Sequence, residues 1–435
     1  MSVVFKRLAP YTKHAVRWYC ASKKTYKCKL LVVGGGAGGC SVASRFARRM
    51  KKSCIIMLEP SKLHYYQPGF TLVAAGVKTL KQTHRPLSKI LPRSVTWLHD
   101  SAENFDPCEN LVWTRNGDKI YYEFMVVAVG IKNDYNKIQG LKKALDDPRC
   151  PVSTIYSPDY CTKTWKNIQK FKGGHAVFTF PVIGGKCAGA ALKIMFLAYD
   201  YWRKNKIINK TSITYNTGAE HIFGVPRYAV ALTKVAVNRN IVPNYCAELV
   251  EVTPRCAVFA GSKGEVGTAI SLPYNMLHVT PPMLPPFCLM KCEGLTNAAG
   301  FLDVDPYTLQ HKRFPNVYGL GDCTNTPNSK TAAAVGPQSY VLERNLGNSM
   351  SGKNPSAKYN GYCACPIVTS YKKGMIAEFL YDKKVCETFP FNQSKERRLF
   401  YQLNKHIFPR LYWKLVKGKW NGPATIRHII NPLRF

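Results

Sequence analysis

The chain has 435 residues, of which 46% are hydrophobic and 12% aromatic, so it can bury a large core and is not an intrinsically disordered protein. Its 62 Lys and Arg against 25 Asp and Glu give a net charge of +37, which favours anionic partners such as nucleic acid or an acidic membrane surface. Its 16 cysteines are too sparse for a disulfide scaffold, and no apolar run reaches the roughly 18 residues of a transmembrane helix.

The N-terminal segment, residues 1–28, is basic and contains no acidic residue; the first acid of the chain is Glu59. Apolar side chains alternate with Lys and Arg there, which is typical of a mitochondrial transit peptide. The alternative is a basic arm that the mature protein retains. We therefore expect the first domain to begin at residue 29.

A dinucleotide site is predicted directly after this leader. Residues 29–33 form a short apolar run that is typical of a buried parallel strand. A glycine-rich turn follows, with the GxGxxG pattern at Gly34, Gly36 and Gly39, and then a helical pattern. The second predicted strand ends at Glu59, where a carboxylate can hold ribose hydroxyls. Strand, turn, helix and acid in this order predict a pyrophosphate at the helix N-terminus.

Two later segments favour FAD over NAD as the bound dinucleotide. Residues 122–130 form a strand pattern that ends at Gly130, and residues 314–322 form one that ends at Gly321 and Asp322. Both resemble motifs of flavoproteins with two dinucleotide-binding domains, in which the acid binds a ribitol hydroxyl of the flavin. An NAD domain would place a second GxGxxG after residues 175–180, and none is present. We therefore expect an electron donor other than a nicotinamide nucleotide.

Two cysteines have surroundings that suit redox chemistry. Cys187 follows Lys186 and precedes an apolar helical pattern, so a helix N-terminus and a lysine should lower the pKa of its thiol. The alternative is a buried cysteine in a helix cap. Cys365 precedes Pro366 in a segment that we expect to be a loop, with Cys363 nearby. No His or Cys partner stands at zinc-binding spacing, so no metal is expected.

Long local motifs resemble the animal mitochondrial sulfide:quinone oxidoreductases. The matching stretches extend from about residue 30 to about residue 425 and include residues 59–68, 178–181, 186–190, 276–283, 321–325, 329–335, 365–366, 387–391 and 393–397. The chain departs from the family pattern at residues 181–185, at Gly336 and Pro337, and at the additional Cys363.

The resemblance implies a flavin enzyme with a redox pair made by Cys187 and Cys365. Sulfide attacks Cys365 and leaves a persulfide, Cys187 passes electrons to the flavin, and a small acceptor removes the sulfur. It also implies flavin contacts by Gln67 and by Lys330, Thr331, Ala332 and Ala333. The full candidate FAD-binding set is Gly34, Gly36, Ala37, Gly38, Gly39, Glu59, Gln67, Ala102, Gly130, Gly321, Asp322, Lys330, Thr331, Ala332 and Ala333.

The implied partners are hydrogen sulfide, ubiquinone, glutathione or sulfite as sulfur acceptor, and the anionic inner mitochondrial membrane; nucleic acid is not expected. Beyond residue 394, an apolar stripe recurs at every fourth position, at Leu399, Leu403, Ile407, Leu411 and Leu415. With its many basic residues this stripe predicts amphipathic helices lying on a membrane, divided at Pro409. The alternative is a helix packed on the core with a basic outer face.

The expected fold is α/β, with two Rossmann-like domains of the disulfide-reductase-like flavoprotein type and C-terminal membrane-binding helices. The FAD domain should comprise residues 29–150 and 290–345, the second domain residues 151–289 with Cys187, and the C-terminal region residues 346–435 with Cys365. Two rival interpretations are a type II NADH:quinone oxidoreductase, which would need the missing glycine pattern, and a non-catalytic basic flavoprotein that binds nucleic acid or partners.

Overall fold

The computed structural model describes residues 23–261 and 269–431. The strands are β1 Thr25–Val33, β2 Ile55–Leu58, β3 Leu63–Tyr65, β4 His84–Pro86, β5 Val95–Leu98, β6 Ala102–Asp106, β7 Leu111–Thr114, β8 Lys119–Val127, β9 Lys132–Asn133, β10 Val152–Ser153, β11 Gly174–Phe180, β12 Thr211–Thr217, β13 Ile241–Asn244, β14 Ala247–Val252, β15 Cys256–Gly261, β16 Ile270–Pro273, β17 Met276–His278, β18 Met283–Leu284, β19 Val317–Gly319, β20 Cys363–Val368 and β21 Gly374–Phe379.

The helices alternate with these strands over the first three quarters of the chain and dominate its end. They are α1 Ala37–Phe46, α2 Phe70–Ala74, α3 Leu141–Asp146, α4 Cys161–Lys170, α5 Ala188–Lys204, α6 Pro226–Val237, α7 Phe287–Met290, α8 Val335–Ser349, α9 Arg398–Gln402, α10 Phe408–Leu415 and α11 Ala424–Ile430. No helix in the described ranges has both the length and the apolar character needed to cross a bilayer.

The first sheet has β1 at its centre, between β2 and β8, both parallel to it. Strand β5 extends the sheet beyond β2. On the other side of β8, its N-terminal half pairs with antiparallel β7 and its C-terminal half with parallel β19. Because β19 comes nearly 200 residues after β8, the domain is discontinuous in sequence, as the flavoprotein motifs predict.

The second sheet is parallel, in the order β10-β17-β11-β12-β13. The carboxyl end of its central strand, β11, leads toward Cys187 and α5. The short ribbon of β9 and β18 lies at the connection between the two units, where Met283 pairs with Asn133. Two Rossmann-like units therefore face each other, which confirms the predicted α/β class.

The C-terminal region begins with the antiparallel hairpin of β20 and β21, which packs against the first turn of α5. Cys365 therefore lies in a strand and not in the expected loop. Strand β20 pairs only with β21 in the described part of the chain, so one of its edges is free of strand partners. A proline, which has no N–H to donate, is tolerated in such an edge strand, and Pro366 is therefore compatible with β20.

Three expected boundaries differ from the observed elements. Strand β1 begins at Thr25 and pairs with Lys119 from its first residue, so the domain starts before residue 29. Most of the predicted leader, residues 1–22, lies outside the described residues. Helix α8 continues to Ser349 because Leu342 and Leu346 keep packing into the core, so a boundary at residue 345 would cut it. Similarly, α7 spans the boundary at residue 289.

The predicted C-terminal helix is divided before Pro409. A π-helical turn at Leu403–Ile407 separates α9 from α10, and Pro409 stands in the first turn of α10, directly after this wider turn. The apolar stripe does not face one environment: Leu399 is exposed, whereas Leu415 is buried. The region is therefore partly packed on the core, as in the alternative interpretation, and partly exposed.

A buried ion pair connects α1, the helix that follows the glycine-rich turn, to α8. Arg45 of α1 is 3% exposed and places its Nη1 2.6 Å from Glu343 Oε2 of α8. Its Nη2 donates to Asn421 Oδ1 at 2.5 Å. The second cation at this carboxylate, Arg49, is 57% exposed. A buried charge that loses its partner is strongly destabilising, whereas an exposed pair contributes little.

We expect Arg45→Ala to lower the free energy of unfolding by about 3 kcal/mol, because it leaves Glu343 buried with only a partly exposed partner. The matched variant Arg49→Ala should change it by less than about 1 kcal/mol. Urea unfolding of both purified variants, followed by far-UV circular dichroism, measures the difference. Equal losses would show that burial does not distinguish the two arginines.

Candidate active site

The glycine-rich turn after β1 has the geometry of a phosphate-binding loop. Gly34 has φ +102, and a Cβ there would lie 2.5 Å from the Ala128 carbonyl oxygen. A Cβ on Gly39 would lie 1.8 Å from the Gly34 carbonyl oxygen, so α1 approaches β1 as closely as glycine allows. A Cβ on Gly36 would meet nothing within 4 Å. The turn therefore leaves the N-terminus of α1 open to a ligand, and no side chain caps it.

Glu59 lies beside this turn at the end of β2. Its Oε2 accepts from the Gly35 backbone N–H at 2.6 Å, and its Oε1 accepts from the Ser61 backbone N–H at 2.7 Å. A carboxylate has about four lone-pair positions, so both oxygens can still accept from ribose hydroxyls. The carboxylate is thus oriented for the predicted role.

The predicted cofactor residues converge on one cavity of about 350 Å³ between the two units. Those that line it are Gly34, Gly36, Ala37, Gly38, Glu59, Gln67, Gly130, Gly321, Asp322, Lys330, Thr331 and Ala332. Three predicted residues do not line it. Gly39 acts through the close packing of α1, Ala333 lines a neighbouring cavity, and Ala102 lies in β6 with its side chain in the core below the first sheet.

The segment before α8 supplies the polar side of this cavity. Lys330 donates through Nζ to the carbonyl oxygens of Thr324 at 2.6 Å and Thr326 at 3.0 Å, and burial lowers the pKa of its amine. The Thr331 Oγ1 is buried and has no hydrogen-bond partner within the described chain. Such a hydroxyl requires a partner that the protein itself does not supply. An extended dinucleotide fits this cavity, because the open glycine turn, the acid and the unpaired hydroxyl all face it.

Cys187 and Cys365 meet at the inner end of the cavity, with their sulfur atoms 3.5 Å apart. Cys187 is the N-cap of α5 and has a left-handed backbone conformation with φ 48. A Cβ on Gly189 would lie 2.3 Å from the Cys365 Sγ, so only glycine allows β20 to approach the first turn of α5. The position after β11, where an NAD domain would have its glycine fingerprint, thus carries a cysteine that faces a second cysteine.

The two thiols have opposite acidities. The pKa of Cys187 is lowered to about 6, chiefly by the hydrogen bond from Cys365 and further by Lys193, the Ala190 backbone N–H and Lys186, against the effect of burial. The same hydrogen bond and burial raise the pKa of Cys365 well above its ordinary value. In the reduced pair, Cys187 is therefore the thiolate and Cys365 the thiol.

Residues that the sequence analysis had not assigned complete the site. Lys193 is 4% exposed and lies one turn into α5, where it lines the cavity and interacts with both sulfurs. Its signal in the sequence is a lysine in the apolar first half of α5. Tyr156 donates to the Cys187 carbonyl oxygen at 3.4 Å. Lys186 Nζ donates to Gln67 Oε1 at 2.7 Å, which connects the loop before Cys187 to the predicted flavin contact.

Cys363, the additional cysteine, is fully buried in the same strand as Cys365. Burial raises the pKa of its thiol to about 12, and the thiol donates to the Phe379 carbonyl oxygen at 3.7 Å. It is therefore protonated and a poor nucleophile at neutral pH. In the described ranges, no group of three or more His, Cys, Asp or Glu side chains is arranged to hold a metal ion.

A second cavity, of about 270 Å³, adjoins the first across Cys187, Lys193 and Thr331. Aliphatic and aromatic side chains of β20, β21 and the C-terminal helices form most of its wall. The residues of the apolar stripe that line it are Leu403, Ile407, Leu411 and Leu415. The stripe therefore faces a cavity as well as the surface, which explains its mixed exposure.

These two cavities, with a cysteine pair between them, define the class: a flavoprotein of the disulfide-reductase-like type with two dinucleotide-binding domains. No protein-family model matches the chain. The chain is 44% identical to the mitochondrial sulfide:quinone oxidoreductase of mouse over 415 residues, which cover 95% of this chain and 91% of the mouse protein. It is 40% identical to the corresponding protein of Dictyostelium discoideum, over 93% of this chain and 89% of that protein. The chain belongs to the mitochondrial sulfide:quinone oxidoreductase family.

The fold agrees with this membership. The crystal structure of the sulfide:quinone oxidoreductase from the hyperthermophilic bacterium Aquifex aeolicus superposes with a TM-score of 0.79, covering 93% of this chain and 96% of that chain. The sequence identity is 18%, so this likeness concerns the fold alone. The family resemblance inferred from local motifs is confirmed by the full-length relatives.

We expect the alkylation rate of Cys187 in the reduced protein to rise as the pH increases through about 6, because the thiolate is the reactive form. Iodoacetamide labelling after phosphine reduction, quantified by peptide mass spectrometry, measures the profile. Cys363 should remain unlabelled over the same range, and Lys193→Met should move the midpoint upward. A wild-type midpoint near the ordinary cysteine pKa of about 8.5 would contradict the assignment.

Proposed function

We propose that the protein oxidises hydrogen sulfide at the Cys187–Cys365 pair and transfers two electrons through FAD to ubiquinone. The observation that carries this proposal is the 3.5 Å contact between the two sulfurs at the junction of the two cavities. The family membership supports the substrates, and the cysteine at the start of α5 disfavours the rival NADH-dependent activity.

The proposed chemistry starts from the oxidised pair. HS⁻ attacks the Cys365 sulfur, the S–S bond breaks, Cys365 retains the incoming sulfur as a persulfide, and Cys187 leaves as a thiolate. The positive charge of Lys193 stabilises that thiolate, and the first-turn N–H groups of α5 act in the same direction. A small nucleophile such as glutathione or sulfite removes the outer sulfur from Cys365. The disulfide re-forms as two electrons leave the pair.

FAD, when bound, supplies the two-electron acceptor for the cysteine pair and the two-electron donor for the quinone. The turn at Gly34–Gly39 and the N-terminus of α1 would hold its pyrophosphate, and Glu59 its ribose. Asp322 would accept from a ribitol hydroxyl, and the Thr331 Oγ1 would gain the partner it otherwise lacks. Ala102 does not line the cavity, and no cofactor contact is proposed for its side chain.

The second cavity would take the quinone ring. Its wall is mainly apolar, and it shares Cys187, Lys193 and Thr331 with the first cavity, so a ring bound there lies next to the proposed flavin position. Ubiquinone is soluble in lipid, and the exposed isoleucines of α11 with the basic face of α10 suit an anionic bilayer. The relatives are mitochondrial, which supports the inner mitochondrial membrane as the location.

Anaerobic addition of sulfide should bleach the flavin absorbance of the purified holoprotein, and a ubiquinone analogue should restore it. Cys187→Ser and Cys365→Ser should each abolish the bleaching, because one removes the electron-transferring thiolate and the other the sulfur acceptor. Cys363→Ser is the matched control and should bleach like the wild type. A wild-type flavin that ignores sulfide would refute the proposed function.

Binding to vesicles of phosphatidylcholine and cardiolipin should weaken by about tenfold or more in Ile429→Glu, because an isoleucine that is 73% exposed would no longer enter the bilayer. Phe287→Glu changes an equally exposed apolar residue outside the C-terminal region and should bind as the wild type does. Flotation with the vesicles measures both. Equal binding of all three proteins would place the membrane contact elsewhere.

A further inference from the structure

The second cavity has one acidic group in an otherwise mainly apolar wall. Of the side chains that line it in the described part of the chain, Glu378 of β21 carries the only carboxyl group. Glu378 is 3% exposed, so water cannot solvate its charge. A buried carboxylate is expensive unless it is hydrogen-bonded and paired, and its place at a cavity wall requires an explanation beyond packing.

Donors from three segments surround the Glu378 carboxylate. The Tyr362 hydroxyl donates to Oε1 at 2.5 Å and the Thr388 hydroxyl at 2.6 Å. The Thr388 backbone N–H and the Gln393 side-chain amide each donate to Oε2 at 2.8 Å. Arg427 of α11 places its Nη2 3.4 Å from Oε1. These contacts hold the group in one orientation.

A second buried carboxylate shows what a purely structural group looks like in this region. Glu387 accepts from the Tyr228 hydroxyl at 3.1 Å and lies 3.2 Å from Arg227 Nη2. It is as buried as Glu378, although its arginine partner is more exposed, and it does not line the cavity. Contact with the cavity, and not burial, therefore distinguishes Glu378.

The remaining titratable groups on the cavity wall are weaker candidates for proton donation. Burial raises the pKa of Tyr66, Tyr362 and Tyr412 above the ordinary value of a phenol. Lys193 and Cys187 belong to the sulfur chemistry. A carboxyl group at the wall of the cavity can act as a general acid toward the basic oxygen of a reduced quinone.

We infer that Glu378 is a catalytic residue of the quinone half-reaction and protonates the quinone oxygen as the ring is reduced. This inference rests on the proposed function. Reduction of a quinone to a quinol takes two electrons and two protons: bound FAD in its reduced form would supply the two electrons and one proton, and the Glu378 carboxyl supplies the second proton. The carboxylate left behind is stabilised by Tyr362, Thr388 and Gln393, and it regains a proton from solvent when the quinol leaves.

The test separates the two half-reactions of the holoenzyme by stopped-flow. We expect Glu378→Gln to leave flavin reduction by sulfide unchanged and to slow flavin reoxidation by decylubiquinone by about 10²-fold. Reoxidation by ferricyanide, which takes electrons without protons, should be unchanged. The thermal shift produced by decylubiquinone should persist, showing that the variant still binds the quinone.

Glu387→Gln is the matched control and should leave both reoxidation rates as in the wild type. Should Glu378→Gln fail to fold, Tyr362→Phe removes one donor to the carboxylate and should slow the decylubiquinone step alone. An unchanged decylubiquinone rate, a parallel fall with ferricyanide, or equal slowing in Glu387→Gln would overturn the inference. Absence of sulfide-dependent flavin reduction in the wild type would instead refute the proposed function.

Discussion

The contact between the first turn of α5 and strand β20 is the constraint on which the site depends. It joins Cys187 and Cys365, which are 178 residues apart in sequence, with 3.5 Å between their sulfurs. The contact requires Gly189, since a Cβ there would overlap the Cys365 sulfur. It also requires that the second sheet and the C-terminal hairpin be held in register with each other. The cysteine pair is therefore a product of the whole fold and not of any local motif.

The electrostatics of this contact give the two sulfurs different roles. The N-terminus of α5, Lys186 and Lys193 favour negative charge at Cys187, while Cys365 acts as the hydrogen-bond donor. Burial alone would raise the pKa of both thiols and leave them inert, as it does for Cys363. At Cys187 the hydrogen bond from Cys365, together with Lys193, the Ala190 backbone N–H and Lys186, outweighs the effect of burial on the pKa. In the proposed chemistry, this asymmetry makes Cys187 the leaving thiolate and Cys365 the sulfur carrier.

The elements predicted well from sequence are those whose signal is local. The strand, glycine turn and helix at residues 25–46 are predicted from their own residue pattern together with Glu59. The absence of a second glycine fingerprint after β11 can likewise be read directly from the sequence. Lys193 and Glu378 were not assigned, because only the tertiary fold places them at a cavity. The apolar stripe from Leu399 to Leu415 was ambiguous for a physical reason: a cavity for an apolar ligand and a bilayer select the same side chains. Ala102 had no local signal, and the fold places it in the core.

The two cavities adjoin at Cys187, and this position connects the cysteine pair, the proposed cofactor site and the C-terminal helices. The proposed substrates make different demands on a pocket. Sulfide is a small anion that positive charge attracts, whereas a quinone ring requires an apolar wall, so a single pocket does not suit both substrates. The fold divides these demands: Lys186 lines the first cavity, the apolar stripe lines the second, and Lys193 lies at the junction of the two beside both sulfurs. The residues that the cavities share are therefore where electrons must cross between the two sides. Under the proposed function, the quinone side consumes protons as the ring is reduced, and Glu378 is the one carboxyl group on the described wall of that cavity.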